Sequence, residues 1–529
     1  MFTILADNVV GRFVKKDGTP VKPKERGKQN LIVMGIVPDL VFHRYRMMID
    51  NIHWKRQVVG RKISPYRNFV SAETGTFGIG LLGSILQYMN ELGLQYNLID
   101  KRVQFPVSAD EITADMFGTE YKLRPYQVDA TKICVNFQNG IVKKPTGSGK
   151  TIDLAALAMA FNKKLENGKA AKVLVLMDQK GGARQTVKQF IRYGIDPKDI
   201  VCVVGQSKSP KDDPYKWNEE RLDRCPIIIA IRQMFKTLKK IMNKFDVILM
   251  DECHHACSKE NRSLLKAAKR ARVRIGFSGT PYTGDNERDV WRMSLFGPII
   301  YEIPTRDLVE QEYLSKPFIK MMLVRRRDAA MFAANGYREI YQTGIINYDM
   351  RNFLITRLSR GLIGKTLILF LRVEHGDILM HKYGLGGRPA VNRTNPFEIY
   401  NKREDNSQVH VPKQLLWYLD GDWSVRNRER VLKSFNKQNH AILMASPIFD
   451  ESIDLPGMNN LIIAGGEKSY VKTIQRLGRA LRPNNSGVVH VFDFFDKSHE
   501  ILERHAGTRK EIWVAEGHDV QVVMIQKVS

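Results

Sequence analysis

Short, unbroken apolar runs in the middle of the chain set what it can fold into. KVLVLM (172–177), PIIIAI (226–231) and DVILM (246–250) are β-branched and too short for helices. Apolar residues without polar alternation suit strands covered on both faces, the condition of a parallel sheet. Helical patterns such as TIDLAALAMAFNKKL lie between them. Strand and helix in alternation imply a doubly wound α/β domain with ligands at the carboxyl ends of its strands. TLILFLRV (366–373), HAILMAS (440–446), NLIIAGG (460–466) and VVHVFDFF (488–495) repeat the pattern, so a second sheet of the same kind is expected.

A chain of 529 residues exceeds what one core supports. The fold class expected is α/β, with two parallel-sheet lobes at 106–303 and 304–529 and a small N-terminal α/β module at 1–105. Residues 383–410, polar and turn-rich, read as an insertion or long surface loop of the second lobe. In the N-terminal module, Ile79, Leu82, Leu86 and Met89 recur at helical spacing and Gly93 offers a stop. Basic and aromatic residues interleave just before that helix, among them Arg44, Arg46, Trp54, Lys55 and Arg56. They read either as contacts to phosphates and bases or as a core with a solvated charged face.

Charge points to a partner. The 83 Lys and Arg exceed the 56 Asp and Glu by 27. Such an excess favours a polyanion, nucleic acid first and an anionic membrane surface second. No apolar run approaches a membrane span, and MFTILADNVVGRF lacks the basic start of a signal peptide. Five cysteines fit reduced thiols in a cytoplasmic compartment.

The stretch KKPTGSGKT (143–151) opens a helix and carries Thr146, Gly147, Ser148, Gly149, Lys150 and Thr151. Glycines let successive amides converge on phosphate oxygens, the lysine reaches the terminal phosphates, and the Thr151 hydroxyl can ligate magnesium. The Walker pattern asks for glycine where Lys144 stands, so the match is partial. DECHHAC (251–257) follows the strand DVILM, where an α/β nucleotide site places its carboxylates. Asp251 is the candidate magnesium ligand and Glu252 the group that activates water. Zinc is the competing reading, with Cys253 and Cys257 as ligands. It needs four convergent groups, whereas His254 and His255 are adjacent and no second Cys/His cluster exists in the sequence.

Together, PTGSGKT and DECH resemble the superfamily 2 helicases, and further motifs follow in order. KLRPYQVDA resembles their adenine-contacting Q motif, which makes Tyr126 and Gln127 adenine-site candidates. GFSGTPY resembles motif III, with Ser278 and Thr280 coupling hydrolysis to lobe movement, alongside His254. LILFLRVEHG resembles motif IV and MASPIFDESIDLP motif V, placing Arg372 and Ser446 at the nucleic acid and Asp454 near the ribose. QRLGRALRP (475–483) is similar to motif VI, with Gln475, Arg479 and Arg482 turned toward the first lobe. Arg479 and Arg482, three apart on a helix, can both reach one γ-phosphate.

The chain design is similar to the UvsW-type, XPB and RadD-like DNA helicases. That resemblance implies RecA-like lobes, ATP and Mg2+ as cofactors, and DNA as fork, junction or single strand, with replication or recombination proteins as possible company. It further implies branch migration or unwinding in recombination and repair, and residence in the host cytoplasm if phage-encoded. Motif Ia reads MDQKGGARQTVKQF without the usual Pro-Thr, and Ile231 replaces the motif Ib threonine. Arg184, Gln185, Arg232 and Gln233 are the strand-contact candidates there. A double-strand translocase, an RNA-directed helicase and a non-catalytic scaffold are the rival readings. The scaffold requires loss of a catalytic group, and Lys150, Glu252, Arg479 and Arg482 are all present.

Overall fold

In the computed structural model every apolar run lies in a strand of a parallel sheet. The structure describes residues 1–21, 31–32, 36–48, 66–163, 165, 168, 170–205, 215, 217–282, 286–391, 393–399, 414–446, 455, 457–466, 478 and 481–524. The first large sheet runs Ile299–Glu302, Asn139–Lys143, Val273–Ser278, Val247–Met250, Val173–Met177, Ile227–Ile231, Ile200–Val203, with every neighbour parallel. Alternate residues of one strand feed different cores: Val173, Val175 and Met177 on one face, Leu174 and Leu176 on the other. Both faces are therefore dry, which is why these runs show no polar alternation.

The second sheet runs Phe397–Ile399, Gln414–Leu419, Ala441–Ala445, Lys365–Leu369, Asn460–Ile463, Val488–Asp496, Lys316–Val324, Val520–Met524. Only the edge strand Phe397–Ile399 is antiparallel. It lies within 383–410, so that segment is not wholly loop. A three-residue edge strand is too short to leave a periodicity in the sequence.

The N-terminal module is built on a sheet ordered Thr76–Gly78, Val10–Val14, Phe2–Ala6, Tyr96–Asp100. Helix Leu82–Glu91 contributes Leu82, Ile85 and Met89 to its core, and Gly93 follows at φ 65°. Two of the interleaved basic residues stack on aromatics of their own module: Arg46 lies 4.1 Å from the Tyr66 ring and Arg44 5.4 Å from that of Tyr88. Trp54, Lys55 and Arg56 lie outside the described residues.

The chain divides into two compact units, Met1–Lys144 with Gly149–Glu302, and Pro145–Ser148 with Ile303–Ser529. The module thus shares a unit with the first large sheet. It docks on helix Asn286–Phe296, whose Val290, Trp291 and Met293 pack against the module core. GIG (78–80) makes the approach possible. A Cβ on Gly78 would overlap Ser294, and one on Gly80 would overlap the Met293 carbonyl oxygen and the Gly297 backbone. Among the described residues no helix is long and apolar enough to cross a membrane.

Gly80→Ala should lower stability by about 1–3 kcal/mol, because backbone rather than a flexible side chain must yield. Gly83→Ala, in the following helix Leu82–Glu91 with open space around it, should be neutral or stabilising by up to about 1 kcal/mol. Thermal unfolding of the two variants side by side checks this, and equal midpoints would remove the close-docking explanation.

Candidate nucleotide site

Three adjacent strands of the first sheet end on the same edge. Asn139–Lys143 leads into PTGSGKT, Val247–Met250 into DECH, and Val273–Ser278 lies between them carrying the motif III serine. The ladder sets Lys143 opposite Ser278 and Met250 opposite Gly276. After the strand, Gly147 and Gly149 take φ of 91° and 82°, open to glycine at little cost, and helix Lys150–Phe161 begins. Its amino terminus faces the loop with the positive end of its dipole.

Lys150 Nζ lies 3.4 Å from Glu252 Oε1. His254 Nδ1 is 3.2 Å from Glu252 Oε2 and 3.1 Å from Ser278 Oγ. Ser278 Oγ also lies 3.4 Å from Glu252 Oε2 and accepts the Thr280 amide at 3.1 Å. Lys150, Glu252, His254, Ser278 and Thr280 therefore form one connected network. Glu252 sits at φ 48°, a left-handed backbone that a non-glycine residue holds at a cost of about 1–3 kcal/mol. The strained turn aims Glu252 back at Lys150 while Asp251 stays on the strand end.

The two carboxylates titrate in opposite directions. Burial first, and then the neighbouring Glu252 charge, push Asp251 up to about 6. Burial also works against the Glu252 charge, but Lys150 and His254 outweigh it and hold this carboxylate well below its usual range. Asp251 Oδ1 is buried and, among the described residues, has no hydrogen-bond partner; the same holds for Thr280 Oγ1. An unbonded buried carboxylate oxygen beside a Gly-rich loop fits a hard divalent cation carried by a nucleotide.

The sequence singled out the Lys144 mismatch without seeing its purpose. Lys144 is fully buried, and its ammonium pairs with Asp153 at 2.5 Å and lies 4.7 Å from the Tyr126 ring. Burial pushes the Lys144 ammonium down and the Asp153 carboxyl up to about 6, and their pairing opposes both shifts. The pair pins the first residue of the loop to the first turn of the following helix. Asp153 was the available signal: one carboxylate in an otherwise apolar helix needs a partner. Tyr126 and Gln127 are themselves buried. The Gln127 carboxamide accepts the Arg124 amide at 2.9 Å, and a Cβ on Gly149 would lie 2.5 Å from Gln127 Nε2. The two thus brace the phosphate loop.

Cys253 and Cys257 serve packing. Cys253 is buried, and a Cβ on Gly276 would lie 2.8 Å from its Cβ; the Cys257 thiol donates to the Arg288 carbonyl at 3.1 Å. His254 belongs to the network, and His255 Nε2 lies 3.8 Å from Asp178. Among the described residues no three His, Cys, Asp or Glu converge as a metal cluster. Asp178 also pairs with the Arg232 guanidinium, and its carbonyl accepts the Gln233 carboxamide at 2.7 Å. Those two strand-contact candidates are engaged inside the lobe. Arg184 and Gln185 lie half-buried on helix Lys180–Arg192.

In the second unit, Arg372 is exposed ahead of helix Val373–Lys382, and Ser446 is buried just past strand Ala441–Ala445. Arg482 is half-buried, its carbonyl accepts the Ser315 hydroxyl at 3.2 Å, and burial lowers its guanidinium pKa. Asp454, Gln475 and Arg479 lie outside the described residues.

Two family descriptions match the chain: type III restriction enzyme, res subunit, over residues 120–283, and helicase conserved C-terminal domain over 406–484. Among characterised proteins, it is 22% identical over 450 residues to the ATP-dependent DNA helicase uvsW of Enterobacteria phage T4, spanning 82% of this chain and 81% of that one. It is 24% identical to the DNA 3'-5' translocase XPB2 of Sulfurisphaera tokodaii, over 74% of this chain and 83% of that one. Among solved structures, a putative HsdR subunit of a type I restriction enzyme from Vibrio vulnificus superposes with a TM-score of 0.53 at 16% identity, covering 89% of this chain and 82% of that one. That likeness is one of fold.

Replacing Lys144 by glycine restores the Walker pattern on paper but strands the Asp153 carboxyl in a buried site. Lys144→Gly should cost about 3–5 kcal/mol, as removal of one member of a buried pair does. Lys144→Gly combined with Asp153→Ala should recover much of the loss. Denaturant unfolding of the single and double variants measures the coupling; additive losses would show that the pair is incidental.

Proposed function

We propose that the chain is a superfamily 2 helicase of the kind that UvsW and XPB represent, an ATP-driven motor that unwinds or branch-migrates forked or junction DNA. The observation that carries this reading is the network joining Lys150, Glu252, His254 and Ser278 at three adjacent strand ends. Its helicase domains imply ATP use. The Gly147 to Thr151 loop and Asp251 are the residues that would hold a magnesium nucleotide. When bound, that group supplies the phosphoryl bond to be broken and the metal charge that offsets it.

The chain's own groups then act in a defined order. Lys150 lies in ion-pair range of Glu252 and offsets its charge. With a nucleotide held by the loop, Lys150 would turn to its terminal phosphate and leave Glu252 to orient and deprotonate water. His254 and Ser278 sense that change, because both touch Glu252, and Ser278 passes it to the Thr280 amide. In the second unit the motif VI pair Arg479 and Arg482 would stabilise the charge that develops in the transition state. The low pKa of Glu252 keeps it ionised and ready at neutral pH.

The likeness to a DNA 3'-5' translocase keeps one rival in view: movement along duplex without strand separation. Strand displacement from a fork, compared with displacement of a third strand from a triplex, separates the two. Parallel titrations with RNA test the choice of nucleic acid.

In purified protein, hydrolysis of ATP should rise on addition of DNA, and Lys150→Ala should abolish it. Glu252→Gln should retain nucleotide binding while kcat falls by about 10²–10⁴-fold, the usual contribution of a positioned base. A Lys150→Ala protein that hydrolyses ATP as fast as the wild type would end the proposal.

A further inference from the structure

The amino edge of the first sheet, opposite the nucleotide loops, holds a cleft of about 750 Å³ between the N-terminal module and the lobe. The module supplies the turn after strand Phe2–Ala6 and Arg12 of strand Val10–Val14. The lobe supplies Lys266, Lys269, Arg270 and Arg272, from the end of helix Lys259–Ala267 and the loop before strand Val273–Ser278. Five of the eleven lining residues are basic, against 83 of 529 in the chain, so the enrichment is local and not a reflection of net charge.

The two lining carboxylates do not offset this. Asp7 accepts the Val9 and Val10 amides at 2.8 and 2.6 Å and is used by its own turn. Asp246 pairs with Arg270 at 2.9 Å and also accepts the Lys172 amide. Among the described residues, no carboxylate lies in ion-pair range of Arg12, Lys266, Lys269 or Arg272. The cationic row continues past the cleft. Lys266 lies 4.6 Å and Arg262 4.3 Å from the ring of Trp291, the residue on which the module docks. Burial first, and then the charges of Arg262 and Arg67, lower the Lys266 ammonium pKa, as expected of like charges held together.

We infer that this cleft binds the phosphate backbone of a duplex arm of the DNA on which the motor acts. The inference rests on the DNA-motor reading for its ligand, but its residues lie on the opposite sheet edge from the nucleotide. A row that spans two structural elements suits an extended polyanion. A single free phosphate would engage only part of it.

The test is binding of a fluorescent forked DNA to the full chain, without nucleotide, across a salt series. Lys266→Gln with Lys269→Gln should weaken fork binding by roughly tenfold and make the log–log salt dependence shallower by about 2, close to one unit for each phosphate left without its cation. Lys266→Arg with Lys269→Arg should restore both. Arg12→Gln, on the module side, should reduce the slope by about 1. Unchanged affinity and slope in the double glutamine variant overturn the site. Pyrophosphate that shields Lys266 and Lys269 from an amine-reactive label as well as fork DNA does, at equal phosphate concentration, would make the cleft a small-anion site and also overturn it. Because binding is read without ATP, a wild type lacking DNA-stimulated hydrolysis would count against the motor reading and leave this measurement decisive for the cleft.

Discussion

Parallel pairing of three neighbouring strands is the constraint on which the candidate site depends. Strands in a sheet lie about 4.8 Å apart, so the loops leaving Asn139–Lys143, Val273–Ser278 and Val247–Met250 begin within one or two side-chain lengths of each other. No long-range search brings Lys150, Ser278 and Glu252 together. The hydrophobic pattern that makes each strand suit a two-faced sheet also fixes which loops are neighbours. A register slip of one residue would turn Leu174 and Leu176 toward the other core and carry the loops at the strand ends out of line.

Electrostatic balance at that edge is uneven. Glu252 has three cationic or proton-donating neighbours, Lys150, His254 and Ser278, and ionises readily, whereas Asp251 has a buried oxygen without a partner among the described residues and resists ionisation. Lys144 and Asp153 show the opposite arrangement one turn away: two buried groups that answer one another. The loop is thus anchored at its base by a closed pair and left open at its working end. Rigidity and reactivity are separated by six residues.

Much of this was legible in the sequence. The continuous apolar runs fixed two parallel sheets because nothing but burial on both faces explains a run such as PIIIAI. The strand leading into Asp251 and the helix opening at Lys150 followed from the sequence, whereas the strand that ends at Ser278 was not among the expected runs, because Arg274 and Gly276 break its apolar pattern. What escaped has physical reasons. Lys316–Val324 has its burial interrupted by exposed positions, so it lacked the unbroken apolar signature. Val520–Met524 is an edge strand with mostly exposed side chains. The Lys144 to Asp153 pair joins a loop to a helix and leaves no periodicity. The GIG close approach is set by backbone that lies more than 200 residues away, in helix Asn286–Phe296.

The two edges of the first sheet carry opposite demands. At its carboxyl edge stand the phosphate-loop helix start, Lys150 and an Asp251 oxygen without a partner among the described residues, a set of groups that suits a phosphate and a cation. At its amino edge, Arg12, Lys266, Lys269 and Arg272 gather without matching carboxylates among the described residues. Strands Val247–Met250 and Val273–Ser278 run between the two, with residues of both edges at their ends: Asp246 and Arg272 before them, Asp251 and Thr280 after. Helix Asn286–Phe296 then fixes the module to the same unit through Trp291, whose ring faces Phe69 of the module at 4.9 Å and Arg262 of the lobe at 4.3 Å. The same strands therefore stand behind both charged edges, with a packed core on each face, and a load taken up at one edge is borne by strands that lead to Asp251 and Ser278 at the other.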